Sequence, residues 1–137
     1  MASFNKFNHF ALELGKGTHH LHAAGDTLKV YLTNNTPDAD LDSLKADLAG
    51  ITEQFNYAPA DAQNDYSEAA GVGTLTCVDI VFTASGGSFG PFQYVVLYND
   101  TATNDPLIGW WDYASSITVL NGETFTVDFG ASVLTIT

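Results

Sequence analysis

PFQYVVLYN (residues 91–99) and PLIGWWDY (residues 106–113) are the two runs whose reading decides the fold. In an extended strand successive side chains point to opposite sides. Phe92, Tyr94, Val96 and Tyr98 therefore share one face, and Gln93, Val95 and Leu97 share the other. Both faces are largely apolar. Trp110 and Trp111 are consecutive, so they cannot enter the same core. A strand with one wet face alternates instead, as ETFTVDF (residues 123–129) does: Phe125, Val127 and Phe129 lie on one side and Thr124, Thr126 and Asp128 on the other. The second face of the 91–113 region needs a cover. A loop or the N-terminal helix of the same chain would supply it, as would a protein interface, where Trp and Tyr are enriched. A sugar platform of Trp110, Trp111 and Tyr113 is a third arrangement.

Working outward, TLKVYLT (27–33), TLTCVDIVFTA (74–84), SITVL (116–120) and SVLTIT (132–137) carry the β-branched and aromatic content of further strands. SGGSFG (85–90) and NDTATND (99–105) supply turn residues between them, and NNTPD (34–38) follows the first strand as a turn. Asn121-Gly122 between two alternating runs predicts a two-residue hairpin joining 117–120 to 123–127. Near the N-terminus, Phe4, Phe7, Phe10 or Ala11, and Leu14 recur at three- and four-residue intervals, the stripe of a short helix with Ser3 as N-cap and Gly15 and Gly17 at its end. HHLHAAG (19–25) reads as a connector, Leu41, Leu44 and Leu48 as a helical turn or two, and 54–73 as a long loop. The expectation is a mainly β fold, a β-sandwich of jelly-roll-like form with a short N-terminal helix. Residues 1–25 form the helix and connector of the same unit, and 26–137 form the sandwich. A length of 137 residues suits one domain.

The charge is lopsided. Four Lys, no Arg and sixteen acidic residues give a net −12, which argues against a nucleic-acid grip. All four bases (Lys6, Lys16, Lys29, Lys45) lie in the first 45 residues, with five acids, so that part stands at −1 and the remainder carries eleven acids and no base. The front third would meet a partner without the repulsion the rest exerts on polyanions. No signal-peptide pattern opens the chain and no run approaches a bilayer span, so a soluble protein is expected, with no membrane partner. One Cys allows no internal disulfide.

Motifs for chemistry are thin. His9, His19, His20 and His22 invite a metal, but no Cys or carboxylate stands beside them at a ligand interval, so solvated histidines and no metal or other cofactor are expected. Asp100, Asp105 and Asp112 lack the ordered spacing of a calcium loop. Asp79 within an apolar run has a raised pKa if buried, or sits at an edge or in a hydrogen bond; Cys77 has no basic neighbour to make it a nucleophile. SGGSFG lacks the Lys and helix start of a phosphate cradle, and no Ser/His/Asp, HExxH or dinucleotide pattern occurs. The expectation is a protein that is not an enzyme.

DTLKVYLTNNTP (26–37), FTASGGSFGPFQYVVLYNDTATNDPLIGWWDY (82–113) and ITVLNGETFTVDF (117–129), preceded by FNKFNHF, together resemble small structural proteins of tailed bacteriophages. Within that group the chain is most similar to the capsid decoration, or cement, class. The resemblance implies a β-rich oligomer, dimer or trimer, made in the bacterial cytoplasm. It would bind the major capsid protein on the outer surface of the head and hold it against the pressure of packaged DNA. On that implication Phe4, Phe7, Phe10 and Leu14 form an anchoring stripe, and Trp110 or Trp111 with Tyr94 forms part of a subunit contact. The alternative is a tail or receptor-binding module that reads host glycans through the same aromatics.

Overall fold

The computed structural model describes residues 2–137. Its largest sheet has five antiparallel strands in the order β1 (Phe4–Lys6), β8 (Leu107–Val119), β7 (Phe89–Asn99), β2 (Leu28–Thr33) and β3 (Ala60–Asp61). The pairings Tyr31↔Val96 and Val96↔Trp110 put these three side chains on one face. Val30↔Leu97 and Val95↔Trp111 fall on the other. Two smaller antiparallel sheets complete the fold: β10 (Leu134–Ile136), β5 (Val72–Thr76) and β4 (Asp65–Ala69) in that order, and β6 (Ile80–Thr83) with β9 (Thr124–Val127). Among the described residues the one α-helix, α1, spans Asn8–Gly15. The protein is thus mainly antiparallel β with one short helix. Among the described residues no helix is long and apolar enough to cross a membrane.

The main core joins the Leu28, Val30, Leu32, Val95, Leu97 and Trp111 face of the large sheet to side chains of the smaller ones, including Leu75, Phe82 and Val127. Phe10 of α1 and Leu21 of the connector enter the same cluster, and β1 pairs with β8, which ties the first 25 residues to the body. Each fully buried Leu, Val or Phe there contributes about 1.5–3 kcal/mol relative to exposure.

The opposite face is also dry. Tyr31, Val96, Tyr98 and Leu107 form a second cluster with Phe7 and Leu48. Its cover is the segment 34–50, which crosses the sheet like a strap. Tyr31 Oη donates to the Leu48 carbonyl at 2.7 Å, Thr33 Oγ1 to the Ala49 carbonyl at 2.7 Å, and Leu107 N–H to the Ser43 carbonyl at 2.9 Å. Lys45 Nζ stands 5.3 Å and 5.1 Å from the ring centres of Tyr31 and Tyr98. Of the three covers open to the sequence, the structure uses a loop of the same chain.

Several elements depart from expectation. The stripe Phe4, Phe7, Phe10, Leu14 is half strand: β1 takes Phe4–Lys6, and α1 begins only after Phe7, which holds the N-cap position with no side-chain cap, so Ser3 does not serve. The open edge of β8 offered the backbone of residues 4–6 a ladder, and a ladder satisfies those groups as well as a helix would. The helix does end at Gly15, with Gly17 beyond it at φ +82°. The leucine run 41–48 gives only a 3₁₀ turn at Lys45–Asp47. Asp38 and Asp47 take up the N–H groups of Asp40, Leu41, Ser43 and Leu44 that a helix would have used. Residues 74–84 are two strands rather than one, parted at Cys77-Val78-Asp79, and 106–120 are one strand rather than two. The expected loop 54–73 holds β3, β4 and the first two residues of β5. The Asn121-Gly122 turn forms, with Glu123 N–H donating to the Leu120 carbonyl at 2.8 Å, but β9 pairs with β6 and not with β8.

Candidate interaction surface

The aromatic residues singled out from the sequence are distributed over both faces of the large sheet. Phe4 is half-buried, its ring 5.1 Å from Trp111 and lying over Gly109, where a Cβ would collide with it. Trp111 is 4% exposed and meets Phe129 at 5.4 Å. Phe10 is buried on the same side. Phe7 belongs to the other face, wholly buried and 4.6 Å from the half-buried Trp110. Tyr94 is also buried, its Oη 3.3 Å from Thr36 Oγ1 of the strap. Phe4, Phe7, Phe10 and Leu14 therefore do not make one stripe, because the strand at residues 4–6 sends Phe4 and Phe7 to opposite sides. Trp110, Trp111 and Tyr113 make no open platform for a sugar, and Trp111 and Tyr94 are spent within the chain. Of the seven named side chains, Phe4, Leu14 and Trp110 keep partial exposure.

The histidines separate as well. His19 is buried, while His20 and His22 are exposed. The connector they occupy is pinned by a buried polar network at the end of β2 and β7. Asn99 Nδ2 donates to Asp26 Oδ2 at 2.7 Å and to His19 Nδ1 at 3.0 Å, and Asn99 Oδ1 accepts the Thr101 and Ala102 N–H groups. Asn64 Nδ2 holds the Leu21 and Asp26 carbonyls, and its Oδ1 accepts from Leu28 N–H. Burial would raise the Asp26 carboxyl, but the Asn99 amide and the His20 N–H hold it below the usual carboxylate value. No group of three or more His, Cys, Asp or Glu side chains among the described residues is placed to hold a metal ion.

Cys77 is half-buried, and burial pushes its thiol up to about 12, with Asp61 acting the same way, so it is no thiolate at neutral pH. Asp79 is exposed and accepts the Phe129 N–H at 2.9 Å, an edge carboxylate that fastens the turn after β9. Of SGGSFG only residues 85–88 turn, with Gly87 against the Phe55 ring, while Phe89 and Gly90 already belong to β7.

What the fold does build is a surface trough at the N-terminal end. Phe10, Ala11 and Leu14 of α1 form one wall, with Lys6 of β1 beside them, and β10 forms the other. A second hollow continues it through the shared Leu14 and Ile136 to Tyr66, His20 and His22. Neither half is lined by a carboxylate. The hollows at Lys45–Asp105, Thr118–Glu123 and Ala2–Asp112 each carry an acidic side chain. Lys6 is also the lysine without a mate among the described residues: Lys16 pairs with Glu13, Lys29 with Asp100, and Lys45 lies over the two tyrosine rings. Ile136 was not singled out from the sequence; Lys6 entered only as one of the four bases and Ala11 only as the alternative to Phe10 on the helical stripe. The charge division pointed to this third of the chain, but only the tertiary fold brings residues 134–136 beside it.

No protein-family model, curated protein or solved structure matches this chain.

Proposed function

We propose that the protein is a non-catalytic binding protein of the capsid-cement kind, which sits on the outer surface of a phage head and bridges neighbouring copies of the major capsid protein. The observation that carries this reading is the division of charge in space. A trough with no carboxylate in its lining, and with a lysine unpaired among the described residues, is built from residues 6–22 and the C-terminal strand of a chain whose net charge is −12. Such a molecule has one side that approaches another protein without repulsion, while its acidic body faces solvent. The core that side chains of the two smaller sheets share with one face of the large one supports the sandwich form expected of that class. The anchoring role passes from the aromatic stripe to the trough, where Leu14 remains and Phe10 forms part of the wall.

The test is addition of the purified protein to undecorated heads. Co-sedimentation at micromolar concentration, with a rise in the temperature at which heads release DNA, is the expected result, because a ligand that binds only the intact shell stabilises it by mass action. Heads that neither bind the protein nor gain heat resistance remove the reading.

A further inference from the structure

We infer that the trough between α1 and β10 receives an extended, apolar segment of a partner protein flanked by carboxylates, added as a strand along the free edge of β10. The surface is argued independently of the cement reading; only the identity of the partner rests on it. Leu134, Thr135 and Ile136 all line the trough, although consecutive strand residues point to opposite sides. Residues of both parities border the hollow, so it takes in the outer edge of β10 as well as a side-chain face. β5 occupies the other edge, since β10 ends the order β10-β5-β4, so the trough side carries unused backbone donors and acceptors. An unpaired edge of this kind is a template for one more strand.

The facing wall decides what that strand carries. Ala11 and Leu14 offer apolar area at helical spacing over the buried Phe10, and Leu12, on the outer side of α1, is 54% exposed. Alternate side chains of an added strand would drop onto this wall. At about 290 Å³ the hollow holds a few aliphatic side chains and falls at or below the low end of cavities that enclose small organic ligands. Charge selects the ends of the segment. Among the described residues Lys6 has no carboxylate to pair with, so an acidic residue at the Lys6 end of the segment gains attraction; His20 and His22 line the other half with their polar rings, His20 standing 3.5 Å from Asp26. A second copy of this chain is a poor occupant, because each copy brings a net −12 to the contact.

Two synthetic octapeptides test this, both with alternating Val and Thr, one flanked by glutamates and the other by lysines. Amide shifts in ¹H–¹⁵N spectra of the full chain are the readout. The glutamate peptide is expected to shift Ala11, Leu134, Thr135 and Ile136 and to bind at least tenfold more tightly than its lysine twin. Lys6→Gln should reduce that preference, and Ala11→Arg, at an exposed helix position, should block both peptides while leaving the melting temperature near that of the parent. Equal binding of the twins, shifts elsewhere, no binding at millimolar peptide, or concentration-dependent dimers that Ala11→Arg dissolves each overturn the inference. If Ala11→Arg protein still decorates heads and the peptides do not bind, the trough assignment fails and the cement reading stands. If peptides bind in the trough and heads stay bare, the reverse holds.

Discussion

His19 is 5% exposed and accepts a hydrogen bond at Nδ1 from Asn99, so its neutral ring carries the proton on Nε2, which has no partner. A second proton would place a charge in a site already short of one acceptor. Burial holds its pKa below the usual 6.5, against the opposing pull of Asp26 and Glu13. The folded ring therefore binds a proton more weakly than the unfolded chain does. The stability it contributes is complete above 6.5 and is lost as the pH falls from there toward the depressed folded value. The melting temperature should fall on acidification from about pH 7.5 to about pH 5.5, and His19→Gln, which still offers Asn99 an acceptor, should flatten that slope. Thermal melts by circular dichroism at four or five pH values decide it; an unchanged slope in the variant would refute the assignment. Asp26 is lowered below 3.8, so its own loss comes at more acid pH and does not overlap this window.

Two turns show what a local pattern specifies and what it leaves to the fold. Asn121-Gly122 is the strongest hairpin dipeptide in the chain, yet among the two only Gly122 has positive φ, at 86°, so the mirror-image turn that would return β9 along β8 does not form. Ala70-Gly71 does have both, at 53° and 83°, and it closes the two-residue hairpin of β4 and β5. Ala is a poor residue for that conformation, and an L-residue held there costs about 1–2 kcal/mol. Ala70→Asn is expected to stabilise the protein by about 0.5–1 kcal/mol, read as a higher urea midpoint with unchanged slope. A fall in the midpoint would mean that the hairpin is not held in this turn. The same contrast explains what the sequence made legible. β2, β7 and most of β8 were readable because buried strands leave a dense apolar record in their own residues, and that record also announced a second face in need of cover. The strap was not readable, since Tyr31 Oη and Thr33 Oγ1 hold it through the carbonyls of Leu48 and Ala49, groups every residue has. β4 was missed because Asp-Tyr-Ser-Glu-Ala contains no β-branched residue; Gly71 five residues before Thr76 was the available sign. The trough was half legible: its lysine and helix wall lie in one stretch of chain, while its strand edge comes from the far end.

Across the whole molecule, unbalanced charge governs the electrostatics. Four lysines oppose sixteen acidic side chains, and two of the four ion pairs among the described residues use histidines that are charged only when protonated. Lys16–Glu13 and Lys29–Asp100 lie at the surface, where such a pair contributes about 0.2–1 kcal/mol and weakens with salt. Against them stand eleven acids after residue 46 with no base among them, packed into a small β body, whose mutual repulsion also weakens with salt because its range is the Debye length. Repulsion has many more pairs than attraction, so it decides the sign. The melting temperature should rise by several degrees when NaCl is increased from about 10 mM to about 150 mM, over which the Debye length falls from roughly 30 Å to 8 Å. KCl should act equally, which separates screening from ion-specific exclusion at the surface. A melting temperature that stays level or falls would mean that the few cation contacts outweigh the acidic body. The same screening bears on docking: if the acidic body and an acidic shell repel each other while the trough attracts, moderate salt should aid the approach to heads, whereas high salt should weaken only the contact made through Lys6.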